Sequence, residues 1–408
     1  MIKSLIKPML RTLISGVVSG KINPYTDVTY TESSGNATIT GCVGACPAVV
    51  RIPPTIDGFT VTAIADLAFY NESITNLTLP NSITNIGASA FKDNLLATIT
   101  LPSSLITLQD LSFDTNALTT LIIPDSVTSV GGSSFRDNQI STLTLGNSVT
   151  IIRGRAFQDN ALTTLIIPDS VTSVDGSAFQ DNQISTLTLG SSVTIIDGRA
   201  FQGNALTSVT IPDSVITVGG SAFQDNQIST LTLGNGVTII DGRAFQGNAL
   251  TSVTITNSVT SVGGSAFQDN SLTSVTIGNS VTSIGGRAFQ DNALTSVTIP
   301  DSVTDIGGSA FQDNSLTSVT IGNSVTSIGN ASFYGNALTN ITIPDSVVTI
   351  AGSSFANNSL TSIGFLGNRP SLASSSFASN ANLSTVTYIS GKTGWPGADI
   401  EGVTPTAV

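Results

Sequence analysis

Along the chain, phenylalanine returns every 22 residues, at 69, 91, 113, 135, 157, 179, 201, 223, 245, 267, 289, 311, 333, 355 and 377, without a single insertion. Between two of them the apolar positions follow one plan, running from Leu272 through Val275, Ile277, Val281 and Ile284 to Ala288 and Phe289. Val275 and Ile277 alternate with Ser274 and Thr276, the period-2 signature of a half-buried strand rich in β-branched residues. Gly278-Asn279, or Pro300-Asp301 one unit later, are turn dipeptides that end this strand. The stretch Val281 to Ile284 is too short for a helix and predicts a second short strand or extended segment. Gly285-Gly286 is then expected to supply turn dihedrals, and Arg287-Ala288-Phe289 a single helical turn at most.

A 22-residue unit of this kind cannot bury its own apolar face and is completed by its neighbours. The pattern therefore predicts a mainly β solenoid of about 15 coils, with no long helix. Coils stacked in register turn each inward position into a column, Phe on Phe and Val or Ile on Val or Ile. Burying one Phe contributes roughly 1.5–3 kcal/mol before entropy is counted, so the Phe column is a main source of cohesion. Asn stands three residues after the Phe from Asn94 through Asn380. In a tight turn it can bond its neighbours' main chain, and stacked turns repeat that bond in every coil.

The ends depart from the period. Residues 23–68 and 382–408 are expected to cap the solenoid of residues 69–381, covering its open apolar ends, with Trp395 as an anchor of the second cap. Residues 1–22 place Ile2, Leu5, Ile6, Met9, Leu10, Leu13, Ile14, Val17 and Val18 at helical spacing, with Lys3, Lys7 and Arg11 four apart. This is a basic amphipathic helix, read either as an irregular secretion signal or as an anchoring helix that contacts a membrane or an assembly partner.

Composition narrows the function. Apolar residues make up 40% of the chain and charged residues 10%, a folded protein with a weakly charged surface. Net charge is −12, and Lys3, Lys7, Arg11 and Lys21 contribute +4 to it, leaving −16 on the remainder, which repels nucleic acid. There is no histidine, and coils this alike give no position privilege over its copies, so catalysis and a cofactor are not expected. The only cysteines, Cys42 and Cys46, allow a small disulfide loop and fall short of a metal signature. Pro and Gly alternate after the first strand from Pro124 to Gly234 and again from Gly278 to Pro344, and Arg155, Arg199, Arg243 and Arg287 sit two coils apart. The underlying unit is thus a 44-residue pair. The Arg column reads as a solvated edge that can pair with Asp197 and Asp241 for little net stability.

The unit "LTSVTIPDSVTDIGGSAFQDN" between Leu294 and Asn314 resembles the BspA-type bacterial leucine-rich repeat almost letter for letter, through its L-x-x-[VIL]-x-[IL]-P and I-G-x-x-A-F-x-x-N elements. Residues 36–69 and 383–408 resemble that family's opening and closing segments. The resemblance implies a concave parallel sheet formed by the L-x-x-V-x-I strands, with the Phe turns on the other side. It also implies a surface or secreted protein that binds proteins, cells or matrix.

If Val and Ile point inward, the outward column of the first strand is Thr144, Thr188, Thr210, Thr232, Thr254, Thr276, Thr298, Thr320 and Thr342, with Ser or Thr, such as Ser274, two residues earlier. This face is the expected binding surface, suited to weak multivalent adhesion to a protein or cell-surface partner outside the cell. Two other readings share the pattern. One is a structural subunit of a filament, surface layer or virion whose solenoid projects outward. The other is an ice-binding Thr array, against which Ile122 and Ile166 interrupt the column.

Overall fold

A computed structural model describes residues 25–395, 397 and 399–408, so the basic segment 1–22 lies outside the described residues. The chain winds into a parallel-strand β-solenoid of about 17 turns with about 22 residues in each. All repeat coils but that of residues 92–113 supply two short strands, exemplified by Ser296–Thr298 and Asp305–Ile306. Among the described residues there is no helix.

The unbroken sheet runs through the second, two-residue strands. Ser283 pairs with Asp305 and Asp305 with Ser327, each 22 residues on, and the ladder continues through 18 strands that include the opening cap. The three-residue strands of the L-x-x-V-x-I element, expected to form the continuous sheet, instead pair two by two. Ser208–Thr210 joins Thr230–Thr232, Ser252–Thr254 joins Ser274–Thr276, and Ser296–Thr298 joins Ser318–Thr320, with no ladder between one pair and the next.

The cause is local to the turn that follows. At the second coil of each pair a glycine rests on the main chain of the coil before. A Cβ on Gly322 would stand 2.3 Å from the Pro300 carbonyl oxygen, and one on Gly278 would stand 2.4 Å from that of Thr256. Only a residue without a side chain can settle that close. Where Pro80, Pro102 and Pro124 follow one another no such glycine exists, and no ladder joins 76–78, 98–100 and 120–122. Thr256 stands in a proline's place and the pairing survives, so the proline is not needed for closure within this run, and near the opening cap 49–51 and 76–78 close with Pro80 in the glycine's place. At the last repeat Leu366 closes the interface through its N–H to Ile343 O (3.0 Å) while its own side chain turns outward.

Two columns hold the coils at every interface alike. The Phe rings from Phe69 to Phe377 are buried and stacked, with centroids 5.2 Å apart at the closest and 5.6 Å at the widest. The Asn column is bonded on both sides. Asn270 Nδ2 donates to Phe245 O (2.9 Å), Phe267 O (3.2 Å) and Gln268 O (3.2 Å), and its Oδ1 accepts the Leu250 N–H (3.1 Å). The same pattern recurs from Asn94 to Asn380.

The Phe turn differs from the single helical turn expected. It is a pair of successive tight turns, in which Ala288 N–H reaches Gly285 O and Gln290 N–H reaches Arg287 O. The left-handed dihedrals fall on Arg287 (φ 61°) and Asp291 (φ 55°), not on Gly285-Gly286. Gly285 answers a different need, since a Cβ there would stand 2.5 Å from the Gly264 main-chain nitrogen. Arg287, Phe289 and Asp291 each donate their N–H to the next coil, which makes a third inter-coil ladder.

The ends are closed. Val28–Ser33 and Asn36–Cys42 form an antiparallel hairpin whose second strand lies parallel to Phe59–Ile64, which leads into the first repeats. At the other end Trp395 is buried, donates Nε1–H to Gly367 O (3.2 Å), stacks on Tyr388 and touches Phe365, which meets Phe377 edge-on. The closing segment is thereby clamped onto the end of the Phe column.

Substituting Gly322→Val tests the closing role of glycine. Its Cβ must displace the Pro300 carbonyl, and a loss of about 1–3 kcal/mol is expected from such overpacking. Thr256→Pro should change stability by less than about 0.5 kcal/mol, as for ordinary surface substitutions. Urea midpoints followed by circular dichroism check both values.

Candidate binding face

The outward face of the three-residue strands is built by strand alternation. Val297 is buried beneath it while Ser296 and Thr298 stand exposed on either side. Thr144, Thr188, Thr210, Thr232, Thr254, Ser274, Thr276, Thr298, Thr320 and Thr342 are all exposed on this face. Register brings Thr210 opposite Thr232, Thr254 opposite Thr276 and Thr298 opposite Thr320. Thr342 faces Gly364, where the column ends. Ile122 and Ile166 occupy the same column in the first coils and are 68% and 71% exposed. No charged residue occurs in the outward positions of these strands from Thr120 to Thr342.

The face is ruled into pairs. Within a pair, Ile255 N–H bonds Thr276 O (2.9 Å) and Ile299 N–H bonds Thr320 O (2.8 Å). The equivalent N–H groups of Leu233, Ile277 and Ile321, which look towards the following pair, have no hydrogen-bond partner among the described residues. Other bonds obey the same rule. The Thr273 hydroxyl donates to Thr251 O (3.2 Å), and Asp301 Oδ1 accepts the Asn323 N–H (2.7 Å), both inside a pair. The middle residue of the second strand in each pair, Val275 or Val319, is only half-buried, whereas Val253 and Val297 in the first are buried. Open seams therefore cross the Thr face after every second coil. Their signal in the sequence is the Pro and Gly alternation.

Elsewhere one buried charged cluster is structural. Asp114 is fully buried and bridges Lys92 and Arg136 (Arg136 Nε to Asp114 Oδ1, 3.0 Å), so one column position in three consecutive coils carries a cation, an anion and a cation. A shallow depression of about 430 Å³ beside it is lined by Asp110, Gly132, Arg136 and Arg155. Arg155, Arg199, Arg243 and Arg287 are exposed. Among the described residues none of them forms an ion pair with Asp197 or Asp241, since the side chain leaves a left-handed residue on the turn and points to solvent. Cys42 and Cys46 are joined in a disulfide at the end of the opening hairpin. Among the described residues no group of three His, Cys, Asp or Glu is placed to hold a metal ion, and no helix is long and apolar enough to cross a membrane.

A column of aspartates two residues after the Phe escaped the sequence reading. Asp137, Asp159 and Asp181 follow one another in successive coils, as do Asp269, Asp291 and Asp313, all left-handed. Burial, and then the neighbouring carboxylates on either side, raise the pKa of the middle member, Asp159 or Asp291. Asp169, on the opposite turn, is lowered instead, because its carboxylate accepts the Ser191 N–H and hydroxyl.

The raised group predicts a pH effect with a definite sign. The folded state holds the Asp159 proton more readily than the unfolded chain, so ionisation weighs against folding at neutral pH. That penalty fades as pH falls through the folded pKa, and is gone below the ordinary aspartate value of about 3.9. Asp159→Asn should raise the melting temperature near pH 7, and its advantage should shrink steadily as the pH is lowered. Thermal melts of the two chains across that range check it.

Comparisons with known proteins agree with this geometry. The family model described as the BspA type leucine rich repeat region matches in six copies over residues 62–185, 173–295 and 282–395. A leucine-rich repeat protein from Bacteroides ovatus is 22% identical and superposes with a TM-score of 0.65 over 94% of this chain and 98% of its own. The pneumococcal vaccine antigen PcpA is 18% identical with a TM-score of 0.47, covering 93% of this chain and 92% of its own. A leucine rich cell surface protein from Faecalibacterium prausnitzii is 22% identical with a TM-score of 0.33, covering 93% of each chain. Among curated proteins no relative matches. At 22% identity the likeness to the Bacteroides ovatus structure is one of fold. The family model spans nearly every coil, and the chain belongs to the BspA-type leucine-rich repeat family.

Proposed function

We propose that the protein is a non-enzymatic binding solenoid that adheres multivalently through its Ser/Thr face to a protein or cell-surface partner, outside the cell or on a surface. Proteins of this repeat family commonly serve in binding or adhesion. The observation that carries the reading is the run of eight successive exposed threonines from Thr188 to Thr342, on strands whose outward positions bear no charge. All eight are exposed threonines, so contacts are alike in kind and gain strength by number. For the same reason the face offers no unique constellation of acid, base and nucleophile.

The seams weigh against an ice-binding array, which needs evenly spaced ranks of Thr, and Ile122 and Ile166 break the ranks further. A role as the projecting arm of a filament, surface layer or virion rests on segment 1–22, which lies outside the described residues.

Multivalency predicts a graded response to length. Excising residues 206–249, or 206–293, removes one or two 44-residue pairs and preserves the period. Retention of protein-coated beads on cell monolayers and matrix-coated plates should fall stepwise, by about tenfold or more for the longer excision, as avidity does when equivalent sites are removed. Retention unchanged by the longer excision, or abolished by altering a single coil, contradicts the proposal.

A further inference from the structure

We infer that the partner of the Thr face is a neutral, extended polysaccharide laid along the solenoid axis, its hydroxyl groups bonded into the open seams at every second coil. This rests on the adhesive reading of the face and adds the chemical class of the ligand.

Three features of the face lead there. The first is unpaired main chain. The N–H groups of Leu233, Ile277 and Ile321 lack partners among the described residues, and the Thr254, Thr298 and Thr342 carbonyls that would accept them in a closed ladder lie on the far side of each seam. Each seam thus holds an unpaired donor, on a residue whose side chain is buried beneath the face, and an unpaired acceptor, flanked by exposed Thr hydroxyls that can be either. A sugar ring carries hydroxyls that donate and accept at once, and so matches a mixed seam better than a purely anionic or cationic group does. The second feature is spacing. Two coils advance about 10 Å along the axis, from an inter-strand distance of about 4.7–4.9 Å, and seams recur at that interval. Two rings of an extended β-linked chain span a similar length, so one chain can meet seam after seam in the same orientation.

The third feature is what the face lacks. Protein interfaces draw their binding energy from a few aromatic and arginine anchors in desolvated pockets. The outward strand positions from Thr120 to Thr342 contain neither aromatic residue nor arginine, and no charge to pair with a charged polymer. Ile122 and Ile166, the exposed apolar positions in the column, give the C–H faces of sugar rings a place to rest at the first two pairs. Each contact is weak, and binding accumulates with the number of seams engaged.

The test uses the full chain and three neutral β-linked polymers, cellulose, chitin and plant mannan, with the matching soluble oligosaccharides of two, four and six rings. Retention on at least one polymer is expected, unchanged by about 0.5 M sodium chloride because no ion pairs are involved. Six rings should bind at least about tenfold more tightly than two, as successive seams are engaged. The variant Thr254→Lys, Thr298→Lys, Thr342→Lys crowds three seams and should lose at least about tenfold in retention with an unchanged melting temperature, while the corresponding Ser variant keeps it. If the chain is retained on none of the polymers, yet the Lys variant loses adhesion to cells, the ligand is not a neutral glycan and the adhesive face stands. If the Lys variant adheres to cells as well as the parent does, the face itself is wrongly assigned and both readings fall.

Discussion

Every coil here must find partners for its turn main chain without long helices or strands to supply them, and one asparagine side chain per coil does so. Asn270 serves three carbonyls and one amide drawn from two successive coils, so removing it would strand several buried polar groups at once. The bond pattern requires the Asn to sit 25 residues after one Phe carbonyl and three after the next, which makes the 22-residue spacing a geometric necessity. An insertion anywhere between Phe and Asn would break both reaches. The Phe stack follows from the same register, because rings fixed at one point of identical coils have no freedom but to lie over each other. Main-chain satisfaction and apolar burial thus enforce one period, and neither column has an interruption from coil to coil.

Against this constant spine the two sheet faces behave differently. The two-residue strands close at every interface, while the Thr-bearing strands between Thr120 and Thr320 close only where a glycine lets one coil rest on the carbonyl of the coil before. The proline or threonine that alternates with it adds bulk at the next interface, and the ladder opens there. The result is a molecule whose cohesion is uniform but whose candidate binding face is segmented, with a polar seam repeated at the spacing of the 44-residue pair. Segmentation costs little, since the Phe, Asn and turn ladders continue beneath it.

Much of this was legible in the residues. The solenoid, the Phe column, the Asn ladder, the exposed Thr column and the anchoring of Trp395 follow from side chains that can serve in only one way at a fixed spacing. What escaped was set by main-chain approach rather than by side-chain type. Ser-Val-Thr and Ser-Ile read as equally good strands, and which sheet is continuous depends on main-chain contacts such as that of Gly322 with the Pro300 carbonyl. The left-handed residues proved to be Arg287 and Asp291, while the adjacent glycines serve close packing, a distinction that glycine-rich turns do not announce. The Lys92, Asp114 and Arg136 cluster was within reach of the sequence, because the three residues share one column position and are 22 apart, but it emerges only when the coils are laid over one another.

The most direct test of pairwise closure on the Thr face is residue-resolved amide hydrogen exchange under native conditions. Ile255 and Ile299, whose N–H groups are bonded across a closed interface, should exchange slowly, while Ile277 and Ile321, which face open seams from chemically equivalent positions, should exchange faster by at least about tenfold, as unbonded amides do. Equal protection at all four positions would mean that the ladder is continuous on this face, and would contradict the account of a segmented solenoid.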